Sequence, residues 1–250
     1  MEIIKLKKIF AKCCSFFTDN LYCGYSLLYN IYKKIADQRE RKIVEQYVKP
    51  GAVVVDIGAN IGSYTLYLSK IVGEDGRVYA FEPSPKNYSR LAKRASSLKN
   101  VSINQAAVGN CTGTAKLYLS NTFDIDHRLY KTSDHRDSVD VDCVRLDDYF
   151  KKEDRVDFIK MDIQGFEYHA FLGMQELMKR NYGIKFIFEF WPFGLNAAGV
   201  VPLDLISLLK QQGFNLYVVG ENKLTQFSDD KVHYGFTKYF NIFASRECLI

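Results

Sequence analysis

The sequence predicts an α/β protein built on a mostly parallel sheet, and three observations carry that expectation. From about residue 40 onward, short apolar runs of strand length alternate with helical patterns, as in repeated strand–helix–strand units. The segment Val53-Val54-Val55-Asp56-Ile57-Gly58-Ala59-Asn60-Ile61-Gly62 passes from a buried strand through a turn of small residues into a helix. The next strand ends on an acid, Glu82, 20 positions beyond Gly62.

Taken in order, Lys49-Pro50-Gly51 is a turn and residues 52–57 are the first strand, apolar on both faces. A helix over 63–72 stops near Gly73, and the second strand is 77–81. Pro85 stands where a first-turn proline is tolerated, so a helix is expected from 85 to about 98, followed by a third strand at 101–105. Residues 106–150 break the rhythm. There, 114–119 and 138–144 alternate apolar and polar side chains, which predicts an antiparallel insertion whose polar tip, 121–137, lies near the active site. The core pattern resumes with a strand at 156–161, a helix at 166–180, a strand at 185–190 and a helix at 202–212. Two strands, 214–219 and 239–244, finish as antiparallel partners at one edge. Residues 41–250 form the main domain on this reading, and 1–40 a helical extension.

Composition sets wider bounds. With 47% hydrophobic and 25% charged residues, the 250-residue chain can bury an ordinary core. A net charge of +5 favours anionic partners without choosing one, and no basic block of the kind that marks a nucleic-acid arm is present. The six cysteines show no paired C-x-x-C spacing, which argues for reduced thiols in a cytoplasmic protein rather than zinc or a disulfide framework. No apolar run reaches the ~20 residues of a membrane span. Residues 1–32 mix four lysines with aliphatic and aromatic residues. The expected form is a helix packed on the domain or on a second subunit, with peripheral membrane contact as the alternative.

The glycine turn points to a ligand. Gly58 and Gly62 let the main chain turn and approach a ligand closely, and the helix beyond offers free N–H groups. A dinucleotide site wants G-x-G-x-x-G, but here Asp56 holds the first glycine position and Ile61 the third. An acid at that strand end suits a cofactor with a cationic terminus, as in the amino acid moiety of S-adenosylmethionine. Asp56 would shape the loop and hold the amino group, directly or through water. Asn60 belongs to the same turn. Glu82, followed by Pro83, is spaced to accept hydrogen bonds from ribose hydroxyls. Gln105 and Ala106, after the third strand, stand where adenine-edge contacts fall.

With these residues in hand, the chain resembles the FkbM family of class I methyltransferases. The segments that carry the resemblance are VVVDIGANIGSYTLYLS, VYAFEPSPKNYSRL, NQAAVGN, DHRLY, LDDYF and IKMDIQGFE, in that order, over roughly residues 50 to 190. The resemblance implies a Rossmann-like fold of seven strands, S-adenosylmethionine as methyl donor, and O-methylation of a sugar, glycolipid or small-metabolite hydroxyl. Gln164 departs from the acid usual before the glycine in such proteins.

Methyl transfer to an alcohol needs alignment and removal of the hydroxyl proton. Asp162 ends the fourth core strand, on the side where open α/β sheets bind ligands. His127, in the inserted loop, is a candidate general base oriented by Asp126 or Asp162, and Arg128 a candidate for an anionic substrate group. Glu167 reads as a helix-dipole acid, and His135 and Arg136 as surface residues. A divalent cation, Mg²⁺ or Mn²⁺, held by Asp162, Glu189 and the Asp124/Asp126/His127 group, is the alternative to a base. A small-molecule or glycan acceptor is expected, and nucleic acid is not. The alternatives keep the scaffold: nucleic-acid or protein methylation, or a non-catalytic protein at a membrane surface.

Overall fold

The computed structural model describes residues 37–120, 126–152, 154–221, 223–232 and 238–249. The expected helix over 1–32 lies outside these residues, as does Asp124. The chain divides into two units, Met1–Tyr47 and Val48–Ile250. The described part of the first holds helix α1 (Gln38–Tyr47). No helix among the described residues is long and apolar enough to cross a membrane.

In the larger unit, β1 (Val53–Ile57), α2 (Ser63–Val72), β2 (Arg77–Phe81), α3 (Pro85–Ala95) and β3 (Val101–Asn104) follow the expected order closely. β7 (Phe158–Met161) and β8 (Lys185–Phe190) resume the parallel sheet, and α7 (Pro192–Ala197) and α8 (Pro202–Gln211) lead to β9 (Asn215–Val219), β10 (Leu224–Gln226) and β11 (Phe240–Ser245). The sheet runs β10-β9-β11-β8-β7-β1-β2-β3. It therefore has eight strands where seven were expected. The extra one, β10, is three residues long, too short for its alternation to register in sequence. The two late strands do pair antiparallel, but β11 inserts between β8 and β9 instead of closing an edge with β9.

Between β3 and β7 lies the predicted insertion, a separate three-stranded sheet ordered β4-β6-β5, with β4 (Ala107–Val108), β5 (Gly113–Tyr118) and β6 (Ser138–Val144). β5 and β6 are antiparallel, whereas β4 runs parallel to β6. The side chains of Ala107, Leu117, Val141 and Cys143 give the insertion a small core of its own.

The helix expected over 166–180 is two helices, α5 (Glu167–Leu172) and α6 (Gln175–Arg180). A Cβ at Gly173 would stand 1.9 Å from the Gly109 carbonyl oxygen, so the insertion's backbone presses on the chain there. Asp147, in the short α4 (Leu146–Tyr149), restarts the helix from outside by accepting the Leu177 and Glu176 N–H groups at 2.7 and 3.2 Å. This is a side-chain cap supplied from a distant part of the chain.

The main core covers one sheet face, where Val55, Ile57, Ile159, Met161, Phe186 and Phe188 meet Ala170, Phe171, Leu177 and Leu205. Alternation along β1 sends Asp56 to the other face, toward α2. Its parallel neighbours in register are Ala80 on β2 and Lys160 on β7. A small residue on one side and a cation on the other give this buried acid both room and a counter-charge.

Candidate active site

The C-terminal ends of β1, β2 and β7 open into a cleft, with the insertion forming part of its wall. The β1 turn explains how the cleft stays open. Gly58 has φ +79°, and a Cβ there would lie 2.0 Å from the Asp162 carbonyl oxygen, so only glycine lets β7 exit alongside. The Gly58 and Ala59 N–H groups both donate to the Phe81 carbonyl at 3.0 Å, which fastens the turn to the end of β2. Asn60 follows in the left-handed region at φ 51°, and its side-chain oxygen accepts the Ile61 N–H at 2.7 Å.

Glu82 faces this turn from β2. Its two carboxylate oxygens accept the Asn60 N–H at 2.8 Å and the Ser84 N–H at 2.9 Å. Burial raises its pKa from 4.5 to about 7, and the Asp56 charge adds to that. The two backbone N–H groups and Lys160 pull the other way. Each oxygen keeps a second lone pair, so the group can still take hydroxyl hydrogens.

Asp56 stands behind the turn, not in the cleft. It is fully buried, accepts the Thr65 hydroxyl at 2.7 Å, and lies 3.7 Å from Lys160 Nζ. Lys160 in turn reaches Asp162 at 3.9 Å and sits over the Tyr64 ring. An acid–lysine–acid row thus runs from beneath the turn to the cleft wall. The lysine in an otherwise apolar strand, Phe158-Ile159-Lys160-Met161, was the available sequence signal for it.

Of the residues singled out in sequence, Gly58, Asn60, Glu82, Pro83, Ala106, His127 and Asp162 all line the cleft. Four others do not. Besides Asp56, Gly62 lies beneath α3 against Leu91, and Gln105 is exposed to solvent, since it follows the last inward residue of β3. Asp126 is held by two guanidiniums, Arg128 at 2.9 and 3.1 Å and Arg136 at 2.7 Å, and so does not orient His127. His127 Nδ1 instead accepts the Ser120 N–H at 3.1 Å.

The cluster around Asp126 corrects two expectations. Arg136 is not a surface residue, for its side chain is 4% exposed. Arg128 is not held out for a substrate anion, because it is buried against Asp126 and stacks on Trp191 at 5.0 Å. Arg128 thus ties the insertion to Trp191, just past β8, while Arg136 closes the insertion on itself through Asp126 and Asp134. Glu167 is also more than a dipole acid. It is fully buried, accepts the Ile163 N–H at 3.1 Å, and burial lifts its pKa to about 7.

Sequence reading overlooked several cleft residues. Asn87, Leu117 and Leu129 line it, and Leu117 could have been found from the alternation of β5. Gln164, noted only as a departure, donates its amide to Asp162 at 2.8 Å and lies 3.4 Å from Glu189. Among the described residues, no three histidine, cysteine or acidic side chains gather as ligands for a metal ion.

The profile of the Methyltransferase FkbM domain matches residues 56–216, most of the unit that builds this cleft. The chain belongs to the FkbM methyltransferase family. It is a methyltransferase with S-adenosylmethionine as donor. The fold has relatives among solved structures. A Clostridium thermocellum protein described as an rRNA methylase is 14% identical with a TM-score of 0.51, over 85% of this chain and 96% of that one. A Streptococcus mutans protein described as a methyltransferase, solved with SAH, is 12% identical with a TM-score of 0.51, over 83% and 96%. At these identities the likeness is one of fold. Ribosomal RNA large subunit methyltransferase E of Bdellovibrio bacteriovorus is 54% identical over 37 residues, which is 15% of this chain and only 19% of that protein.

Proposed function

We propose that this methyltransferase acts on a hydroxyl of a sugar, glycolipid or small metabolite. The observation that carries the reading is the pairing of two kinds of group in one cleft. Gly58, Asn60 and Glu82 flank the β1 turn on the β2 side, and the carboxylate of Asp162 flanks it on the β7 side with His127 nearby.

The fit to the donor rests on this chain's own residues. Gly58 lets the turn pack against β7 while its backbone lines the cleft, and Glu82 has lone pairs for two ribose hydroxyls. Asp56, behind the turn, fixes the loop through Thr65 and influences a bound amino group only through backbone or water. When bound, S-adenosylmethionine supplies a methyl group on a sulfonium, an electrophile that needs in-line attack and no Lewis acid.

On the acceptor side, the two polar groups take different parts. A backbone N–H can only donate, so the Ser120 contact requires a lone pair on His127 Nδ1 and puts the proton of the neutral ring on Nε2. Nε2–H then donates a hydrogen bond and orients the acceptor oxygen. Asp162 is left to accept the hydroxyl proton as the C–O bond forms. Its carboxylate is exposed enough, at 29%, to meet an acceptor.

The test is methyl transfer from labelled S-adenosylmethionine to a panel of glycan, glycolipid and small-alcohol acceptors, with ribosomal RNA alongside. Asp162→Asn should lower turnover on the best acceptor by about 100-fold, with affinity for S-adenosylhomocysteine within about twofold of the parent. Incorporation into RNA alone would replace this reading with a nucleic-acid one.

A further inference from the structure

We propose that Gln164 is a positioning residue, whose side-chain amide holds the Asp162 and Glu189 carboxylates side by side at the edge of the cleft. The inference rests on the reading of Asp162 as the acceptor-side base.

The amide nitrogen lies 2.8 Å from Asp162 Oδ1 and 3.4 Å from Glu189 Oε2. An –NH₂ group has two hydrogens, one for each acid, and no charge of its own. It thus bridges two anions that end adjacent parallel strands, β7 and β8. The backbone bears a cost to put it there. Gln164 has φ 56°, a conformation that disfavours a long side chain by roughly 1 kcal/mol. The Tyr130 hydroxyl, reaching over from the insertion, clamps that turn by donating to the Gln164 carbonyl at 2.7 Å. A strained residue whose side chain ends between two carboxylates, in a wall of the cleft, is placed for function rather than for the turn.

Among the described residues, charged groups face Asp162 from several neighbouring elements. Lys160 of β7 approaches at 3.9 Å, with Asp56 of β1 on its far side. Glu189 of β8 comes through the Gln164 amide, and Glu167 of α5 feels the charge of Asp162. His127 and Glu82 share the cleft. In this crowd of acids, the amide replaces repulsion between two neighbours with two hydrogen bonds and fixes the direction of the Asp162 oxygens.

The experiment is a carboxyl ¹³C NMR titration of full-length protein, labelled at the aspartate and glutamate carboxyls and saturated with S-adenosylhomocysteine. The Asp162 signal is assigned by its loss in Asp162→Asn. Gln164→Asn tolerates the same backbone but withdraws the amide by one methylene, and should raise the Asp162 midpoint by about half a pH unit or more. Gln164→Glu puts a third acid in place of the donor and should raise it by at least about one unit. Glu189→Gln should lower it.

Midpoints that stay put in all three variants would overturn the proposal. Should both Gln164 variants lose their fold, Glu189→Gln decides alone, and a midpoint that fails to fall is the overturning result. Failure of the parent protein to bind S-adenosylhomocysteine is a separate outcome. It strikes the cofactor reading before any titration begins.

Discussion

With Glu82 proposed to hold the ribose, nucleoside binding is expected to be proton-linked. Its carboxyl titrates near 7 because it is buried, with Asp56 reinforcing the effect, while ribose hydroxyls donate best to the ionised form. The perturbation is therefore pH alone. At pH 6 about a tenth of the free protein has Glu82 ionised, and at pH 8 about nine tenths, so the apparent affinity should rise about tenfold over that range. Near pH 7, binding should release about half a proton. The useful probe is 5′-methylthioadenosine, which carries the adenosine but no amino acid, so no ligand amine titrates. Calorimetry in two buffers of different ionisation enthalpy reads affinity and proton release together. Glu82→Gln should bind weakly with no slope. An affinity flat within about twofold in the parent would refute the reasoning, as would an undiminished slope in Glu82→Gln, which would shift the linkage to Glu167.

Other perturbations follow from the same geometry. Gly58→Ala forces a Cβ onto the Asp162 carbonyl at a positive φ, and should cost roughly 2–4 kcal/mol in urea denaturation and abolish binding of S-adenosylhomocysteine. The folded pKa of Glu167 is raised above its unfolded value, so its contribution is present below about pH 4.5 and lost as pH rises through about 7. Denaturation at pH 5 and pH 8 should show Glu167→Gln losing less stability than the parent over that interval, by roughly 3 kcal/mol. Asp126→Ala leaves the buried guanidiniums of Arg128 and Arg136 without their shared acid, and should cost about 3 kcal/mol, with faster amide exchange in β5 and β6.

What sequence could reveal was set by range. β1, β2, β6 and β8 each announce themselves by local pattern, and the 20-residue separation of Gly62 and Glu82 pointed to one end of the sheet because both follow the ends of consecutive strands. The partner of a side chain is a different matter. Arg136 looked like a surface residue because nothing near it in sequence says that Asp126 turns back to meet it. Asp56 looked like a ligand group because Lys160, its neighbour on β7, lies more than a hundred residues away. The helix break at Gly173 depends on Gly109, and the tautomer of His127 on Ser120 across a loop. Each miss is a tertiary contact that no periodicity encodes.

The placement of β11 has a bearing on how the chain is made. It is synthesised after β9 and β10, yet in the finished sheet it lies between β8 on one side and β9 on the other. Without residues 240–245, the edges of β8 and β9 that pair with β11 in the folded sheet would lack that partner, beside Phe186, Phe188 and Leu216. A chain lacking β11 is therefore expected to be prone to association with other chains, and translation speed through this stretch and chaperone capture should influence its yield.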